Sequence, residues 1–428
     1  MTSRFLTDGV WDGVEVPHSP GSCPCDASDE GSPTNCVTLI LTVGDPSGSE
    51  SERWNLEVFE EGTGRAVVCH CDDGFGTPGS AEYSLVKGKA YTFSLRWVAT
   101  NLDEGPDYDW RAKINYSTAA GAYEGLYGTG PFIVEDPDEL LTDETHGNAA
   151  NITLGKTGRI IVPKVEFEED PNQNYGFDPD GPWISVEKAK TTTVKVNISP
   201  PSAVSQVYFT SSDTSKVTVS PSQASGSTQT LTLTAGSIED DGATIDVRLG
   251  SASGPVCERL GVAVYEKVTI SFYIHAVNGF TGSIPVGAAN NVLKQAVVEL
   301  SNAGYHGCTH DISAGYQYDV DIDEPHKEHY VLINGCHAYG TQDLFMIPSP
   351  GKIRSSGQIW YGLHWKDTNP DVHWNIIAED ASPRYRYMAH EFFHTWAGHI
   401  SETGNLMHPN ETSMGDKLKK AQWDIAHQ

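Results

Sequence analysis

The chain has 428 residues, with 57 acidic and 28 basic side chains and a formal net charge of -29 at pH 7. It is too long for one compact core, so we expect about two to four domains, and its acidity argues against nucleic acid or an anionic membrane as a partner, because phosphate would be repelled. No apolar run approaches the roughly 18 residues of a membrane span, which excludes membrane insertion, and the first residues lack the basic and apolar regions of a signal peptide.

The N-terminal part predicts an irregular arm, a β-sandwich and a linker. Residues 1–30 are rich in Gly, Ser, Pro and Asp, which is typical of an irregular arm. In residues 31–120 apolar and polar side chains alternate between turns without a helical pattern, which predicts a β-sandwich. Its strands are expected at Val37–Val43, Trp54–Phe59, Ala90–Trp97 and Trp110–Tyr116. Residues 121–160 are acidic and Gly-rich and predict a linker. The sandwich is expected to act as a spacer or to dock onto a surface or matrix.

A second β-sandwich is predicted for residues 161–265, because alternation resumes there between Ser, Gly and Pro turns. The expected strands are Thr191–Ile198, Gln206–Thr210, Lys216–Val219, Thr228–Thr234 and Ala243–Leu249. The run from Phe209 to Val219 resembles the bacterial Ig-like domains of surface and secreted proteins. That resemblance implies an extracellular or cell-surface location.

The third region, residues 266–428, mixes helical and strand patterns and predicts an α+β domain. A strand at Lys267–Val277 precedes a helix at Val286–Ala303, where apolar residues recur at helical spacing. Further strands are expected at Tyr330–Ile333, Gln358–Tyr361 and His373–Ile377, and a closing amphipathic helix at Lys417–Ala426.

The clearest chemical motif is His390-Glu391-Phe-Phe-His394, an H-E-x-x-H match. Histidines four residues apart share one face of a helix and can hold zinc. Zinc lowers the pKa of a bound water to about 7, and a neighbouring carboxylate can take its proton during peptide hydrolysis. The alternative is a pair of hydrogen-bonded core histidines with Glu391 facing solvent. A metal is favoured because the surrounding residues are apolar and buried polar groups need partners.

Beyond His394 the sequence resembles the metzincin metalloproteases, whose signature is H-E-x-x-H-x-x-G-x-x-H followed by a methionine turn. Gly398 and His399 match the glycine and third histidine, and Met407 matches the methionine, but His399 follows His394 by five residues instead of six. Gly398 is expected to reverse the chain in a left-handed turn. The resemblance implies a zincin fold and a zinc endopeptidase acting on polypeptides. Its expected zinc ligands are His390, His394 and His399, its general base and then acid is Glu391, and Met407 packs beneath the metal. Glu402 and His408 remain alternative third ligands.

Two other interpretations compete with the metzincin resemblance. The motif is also similar to the glycyl aminopeptidase branch of the gluzincins, in which a Glu about twenty residues downstream is the third ligand. Residues 414–420 contain no Glu and only Asp416, so the metzincin resemblance is favoured. A non-catalytic surface or adhesion protein with a degenerate zincin domain is the alternative function. The intact Glu391 argues against it, because a binding protein has no chemical need for the base.

Cysteines and an acidic run supply weaker motifs. The eight cysteines suit disulfides in an oxidising compartment, and Cys308 and Cys336 are candidates to pair. The C-x-C pairs Cys23/Cys25 and Cys69/Cys71 could bind zinc, but such sites favour wider spacing, so disulfides or thiols are expected. Asp319, Asp321 and Asp323 could bind Ca²⁺, but the run lacks the loop glycine and terminal glutamate of a calcium loop, which favours an exposed strand face.

Overall fold

The computed structural model describes residues 36–43, 51–64, 66–72, 79–100, 125–129, 133–144, 151–277, 280–308, 317–319, 342–347, 352–355, 358–366, 373–378, 381–410 and 412–428. Over these residues the protein is a β-rich chain of several sheets, as the alternation predicted. The predicted arm at 1–30 and the predicted strands Trp110–Tyr116 and Tyr330–Ile333 lie outside the described residues.

The N-terminal region forms two sheets, with strand orders β4-β1-β6 and β3-β2-β5-β8-β7. The strands are β1 Cys36–Val43, β2 Ser51–Glu60, β3 Ala66–Asp72, β4 Gly79–Val86, β5 Lys89–Thr100, β6 Gly125–Thr129, β7 Ile133–Glu144 and β8 Asn151–Val162. All the pairings are antiparallel, as expected where turns and not helices connect the strands.

The predicted linker at 121–160 instead contributes strands β6, β7 and β8. Strand β8 pairs with both β5 and β7, so it lies inside the larger sheet. In the β7–β8 ladder the backbone of Glu135 is in register with Arg159, and that of Glu139 is in register with Lys156. These residues form a sheet through backbone pairing with other strands, and such pairing cannot be seen in local composition.

The middle region, which we call the middle sandwich (residues 163–265), has sheets of order β10-β11-β17-β16-β13 and β14-β15-β12-β9. Its strands are β9 Lys164–Glu168, β10 Phe177–Asp178, β11 Trp183–Glu187, β12 Thr191–Ser199, β13 Val207–Ser211, β14 Val217–Ser220, β15 Thr228–Ala235, β16 Asp240–Leu249 and β17 Val256–Tyr265. Alternation in β12 buries Val194, Val196 and Ile198 between more exposed neighbours. They join one hydrophobic core with residues of the facing sheet such as Ile245 and Val262.

The C-terminal region has a mixed sheet with helices beside it, in strand order β19-β18-β21-β25-β24, and a second sheet of order β20-β22-β23. Its elements are β18 Val268–Val277, α1 Val286–Leu293, β19 Val298–Cys308, β20 Gln317–Asp319, β21 Gln342–Ile347, β22 Lys352–Ser355, β23 Gln358–Trp360, β24 Gly362–Lys366, β25 His373–Ala378, α2 Arg384–Phe393 and α3 Lys420–Ile425. Strands β19, β18, β21 and β25 run parallel, and β24 is antiparallel to β25. Phe392 of α2 packs edge-on against Phe272 of β18 at a centroid distance of 4.9 Å, which places α2 against the sheet.

Helix α1 is shorter than the predicted helix at Val286–Ala303. It ends at Leu293, and after a 3₁₀ turn Val297 adopts a left-handed backbone with φ 56° before strand β19 begins. The Asn290 side chain then bonds both backbone groups of Leu300, donating to its carbonyl oxygen at 3.0 Å and accepting from its N–H at 2.7 Å. Val298 and Leu300 are buried two residues apart, which is also strand periodicity, so the apolar spacing alone did not separate the two elements.

Candidate metal centre

Helix α2 carries His390 within its last turn and ends at Phe393, with His394 as its C-cap. Residues 387–393 are all buried, so the helix lies inside the core and not on the surface. The four-residue spacing brings the Nε2 atoms of His390 and His394 to 3.1 Å from each other. The helix therefore presents the two imidazoles side by side, as the motif predicted.

The chain after α2 returns His399 to the same point. Its Nε2 lies 3.2 Å from Nε2 of His390 and 3.2 Å from Nε2 of His394. The expected cause of this reversal is wrong, because Gly398 is not among the described glycines with positive φ. The return begins instead in a turn in which the N–H groups of Trp396 and Ala397 donate to the Phe393 carbonyl oxygen at 3.0 and 3.2 Å.

Two backbone carbonyl oxygens fix the imidazole tautomers. Nδ1–H of His390 donates to the Leu406 oxygen at 2.6 Å, and Nδ1–H of His394 donates to the Ala397 oxygen at 2.9 Å. A carbonyl can only accept, so each ring carries its proton on Nδ1 and leaves the Nε2 lone pair facing the cluster. Burial lowers the pKa of His390 to about 4 and that of His394 to about 3, and it also lowers the pKa of His399. The cluster is therefore neutral at pH 7.

This donor set fits a tetrahedral metal ion. Among the described residues, His390, His394 and His399 form a group whose ligand atoms converge closely enough to hold one ion. Two nitrogens bound at 2.0–2.1 Å to a tetrahedral zinc lie about 3.3–3.4 Å apart, close to the separations of 3.1 and 3.2 Å found here. Lone pairs that face one another repel unless a cation lies between them.

Glu391 follows His390 on α2 and is buried, with only 6% of its surface exposed. Burial raises its pKa to about 8, although the backbone N–H of His364 on β24 donates to the carboxylate and opposes that shift. A Cβ atom placed on Gly362 would lie 2.4 Å from Oε1 of Glu391, so only a glycine there leaves room for the carboxylate. Strand β24 thus forms the wall against which Glu391 is held, contrary to the alternative in which Glu391 faces solvent.

The loop that contains the predicted methionine turn is hydrogen-bonded to His390 and to the residue that follows His399. Its Leu406 carbonyl oxygen is the acceptor for His390, and the Met407 carbonyl oxygen accepts the N–H of Ile400, the residue after His399. The Asn405 side chain accepts the Met407 N–H at 2.8 Å, and Met407 is fully buried. The sequence assigned no role to Asn405, although Asn favours turns because its side chain can bond the backbone N–H two residues on.

The two alternative ligands lie elsewhere. The Glu402 carboxylate pairs with Lys419 at 2.9 Å and is half-exposed. Nδ1 of His408 accepts the backbone N–H of Asn410 at 2.9 Å within its own turn. Neither residue belongs to the histidine cluster.

A histidine that the sequence had not singled out flanks the cluster. The ring centroid of His364 lies 5.8 Å from that of His394, and its Nδ1 is 2.9 Å from the Asn375 side-chain oxygen. Its Nε2 lies 3.1 Å from Nδ1 of His373. These residues lie on β24 and β25, outside the H-E-x-x-H motif.

The structure describes only some residues of the cysteine and acidic motifs. Cys308 is disulfide-bonded and Cys257 is a free thiol, while Cys23, Cys25 and Cys336 lie outside the described residues. Cys69 and Cys71 lie on β3, and Asp319 is the last residue of β20, but the side chains of all three are not described. Asp321 and Asp323 also lie outside the described residues, so the calcium and C-x-C predictions stay predictions.

No protein-family model and no curated protein matches the chain. Among solved structures, the S-layer protein rSbsC(31-844) is similar over 53% of this chain and 54% of its own length, at 12% identity and a TM-score of 0.17. Domains 1-6 of the surface layer protein SbsC are similar over 55% and 53%, at 13% identity and a TM-score of 0.16. The chain thus matches about half the length of these structures.

Within the described residues, no helix is both long and apolar enough to cross a membrane.

Proposed function

We propose that this protein is a zinc-dependent endopeptidase with a metzincin-like zincin domain in residues 266–428. His390, His394 and His399 hold the zinc, and Glu391 is the general base and then the general acid. The observation that carries the proposal is the convergence of three Nε2 atoms at 3.1–3.2 Å, together with the buried carboxylate of Glu391, the residue next to His390. The Nε2 atoms of His390 and His394 face each other at 3.1 Å as acceptors, an arrangement that hydrogen-bonded core histidines do not need.

The chemistry assigned to the chain follows from the site. Zinc held there would supply Lewis acidity to a carbonyl, lower the pKa of a water toward 7 and, by its charge, favour the ionised form of Glu391. Glu391 then takes a proton from the water and delivers it to the leaving amine. The glycine at position 362 and the His364 N–H keep the carboxylate in one place for both transfers.

A polypeptide is the substrate class that suits this site. Among the described strands, β24 stands at the end of its sheet, next to Glu391, with β25 on one side only. An extended peptide can add to the free side of such a strand through backbone hydrogen bonds, independently of its sequence. We further propose an extracellular or cell-surface location, which the disulfide at Cys308 supports because such bonds persist in oxidising compartments.

Metal analysis and peptide cleavage test the proposal together. The purified full chain should retain about one zinc per molecule after dialysis and should cleave a quenched-fluorescence peptide library until a chelator is added. His399→Ala should lower both zinc content and cleavage, while the matched control His408→Ala should alter neither. A chain that binds no zinc, or that cleaves equally well after chelation, would favour the non-catalytic surface protein.

A further inference from the structure

The middle sandwich and the C-terminal region share a packed boundary. Trp183 of β11 packs against the hydrophobic core that contains Leu293 and the fully buried Trp423 of α3. A Cβ atom on Gly176 would lie 2.6 Å from Cζ2 of Trp423, so the two surfaces meet with no spare volume. Ser185 of β11 adds a hydrogen bond across this boundary, donating to the Gln295 carbonyl oxygen at 2.6 Å.

Charged contacts fix one short segment, residues 417–420, onto the middle sandwich. The buried Asp178 accepts the backbone N–H of Lys420 at 2.9 Å and lies 3.5 Å from the ammonium of Lys419. Lys419 also pairs with Asp180, and the ammonium of Lys420 lies 4.7 Å from the centre of the Trp183 ring. A buried carboxylate that loses its partners is costly, so these contacts hold the segment in one position.

The other side of the same segment supports the loop of the metal centre. The Lys417 carbonyl oxygen accepts the N–H of Leu406 at 2.7 Å. Gln422 exchanges two side-chain hydrogen bonds with Asn405, at 2.8 and 3.2 Å. Lys419, which contacts the sandwich, also pairs with Glu402, three residues after His399. The loop therefore rests on a segment that the sandwich holds.

The chain of contacts ends at the histidines. Leu406 accepts the Nδ1–H of His390 through its carbonyl oxygen, and Met407 accepts the N–H that follows His399. A displacement of the loop would therefore move the acceptor that orients one ligand and the backbone that carries another. A shift of less than an ångström is enough to weaken a metal site, because ligand geometry is narrow.

We propose that the middle sandwich is an intramolecular positioning partner of the histidine cluster, with Asp178 and Gly176 setting how tightly the cluster holds its metal. The proposal rests on the metal site of the proposed function and adds a control of that site by the sandwich. Coupling between two sites is reciprocal. Zinc binding should therefore stabilise the contact between the sandwich and the C-terminal region by the same factor by which that contact raises the zinc affinity.

The test compares two boundary variants of the full chain with two matched controls. Gly176→Ala inserts a methyl group at the boundary, and Asp178→Asn removes the buried charge. Gly242→Ala lies in the same sandwich, where a Cβ has its nearest neighbour at 3.7 Å, and Glu168→Gln breaks an exposed pair with Lys195. Zinc affinity is measured by competition with a chelator, and the ligand geometry is read from the visible spectrum after Co²⁺ is bound.

Hydrogen exchange provides a second readout that needs no metal. In chelator-treated protein, the amides of Leu406 and Met407 report on the loop, because one bonds Lys417 and the other bonds Asn405. We expect both boundary variants to exchange these amides about tenfold faster and to bind zinc about tenfold more weakly, with an altered Co²⁺ spectrum. Both controls should match the wild type.

Different outcomes separate this proposal from the proposed function. Faster exchange in residues 417–420 of the boundary variants, with loop exchange and metal affinity unchanged, would overturn the positioning role, and so would unchanged exchange throughout. A wild-type chain that binds neither Zn²⁺ nor Co²⁺ would refute the metal site, and loop exchange alone would still decide whether the sandwich positions the loop. If circular dichroism shows that Gly176→Ala does not fold, Asp178→Asn decides the question.

Discussion

The ionisation of Glu391 gives a quantitative prediction for metal uptake. Burial raises its pKa to about 8, so at pH 7 the metal-free protein carries about 0.9 proton on this carboxyl. The pKa values of His390 and His394, lowered by burial to about 4 and about 3, leave both rings unprotonated at that pH. Zinc uptake should therefore release a proton from Glu391 and almost none from these two ligands, because the metal charge lowers the carboxyl pKa.

Calorimetry in two buffers of different ionisation enthalpy measures this proton release. At pH 7 we expect the wild type to release about one proton more than Glu391→Gln, since a water ionised near the metal contributes in both proteins. The sign of the pH dependence follows from the raised pKa: the difference is largest below pH 8, where the metal-free carboxyl is protonated, and falls to about 0.1 proton at pH 9. Equal release by both proteins at pH 7 would mean that zinc binding does not change the protonation of Glu391, and the prediction would be refuted.

Three substitutions test the geometry of the site. Gly398→Ala should change zinc affinity, measured by chelator competition, by less than about twofold, because its Cβ would meet no atom within 4 Å and its φ is not positive. A loss of zinc affinity above about tenfold would instead support the left-handed turn that the sequence predicted. Gly362→Ala should retain zinc but slow peptide cleavage by about 100-fold, since it displaces the Glu391 carboxylate; unchanged steady-state rates would contradict this. Asn405→Ala should cost about 1–3 kcal/mol in chemical denaturation, because it leaves the Met407 N–H and other buried groups without partners; unaltered stability would refute its role in the turn.

Local periodicity predicted those parts of the site that depend on one helix. His390 and His394 are adjacent because four residues make about one turn, and no distant contact is needed to bring them together. His399 also joins the cluster, but through hydrogen-bonded turns after α2 and not through a left-handed Gly398. The pattern identified the residue and misidentified the backbone conformation that delivers it.

Non-local pairing accounts for what the sequence did not predict. Strand β8 in the predicted linker is stabilised by partners on β5 and β7, and composition within a short window carries no information about them. The predicted helix at 286–303 ends at Leu293, and after a 3₁₀ turn Val297 adopts a left-handed conformation, which is unusual for a β-branched residue. Gly362 and Asp178 influence the site from distant parts of the chain, so only the tertiary structure reveals them.

Peptide cleavage by zinc-loaded Glu391→Gln tests the central claim most directly. The variant and the wild type are brought to the same zinc content, confirmed by metal analysis, and assayed at pH 7 on the same quenched-fluorescence peptides. Because the substitution removes the proton-accepting oxygen and leaves the three histidines in place, we expect normal zinc and a cleavage rate lower by about three orders of magnitude or more. Equal rates in the two proteins, or no cleavage by a fully zinc-loaded wild type, would contradict the assignment of this site as a peptidase.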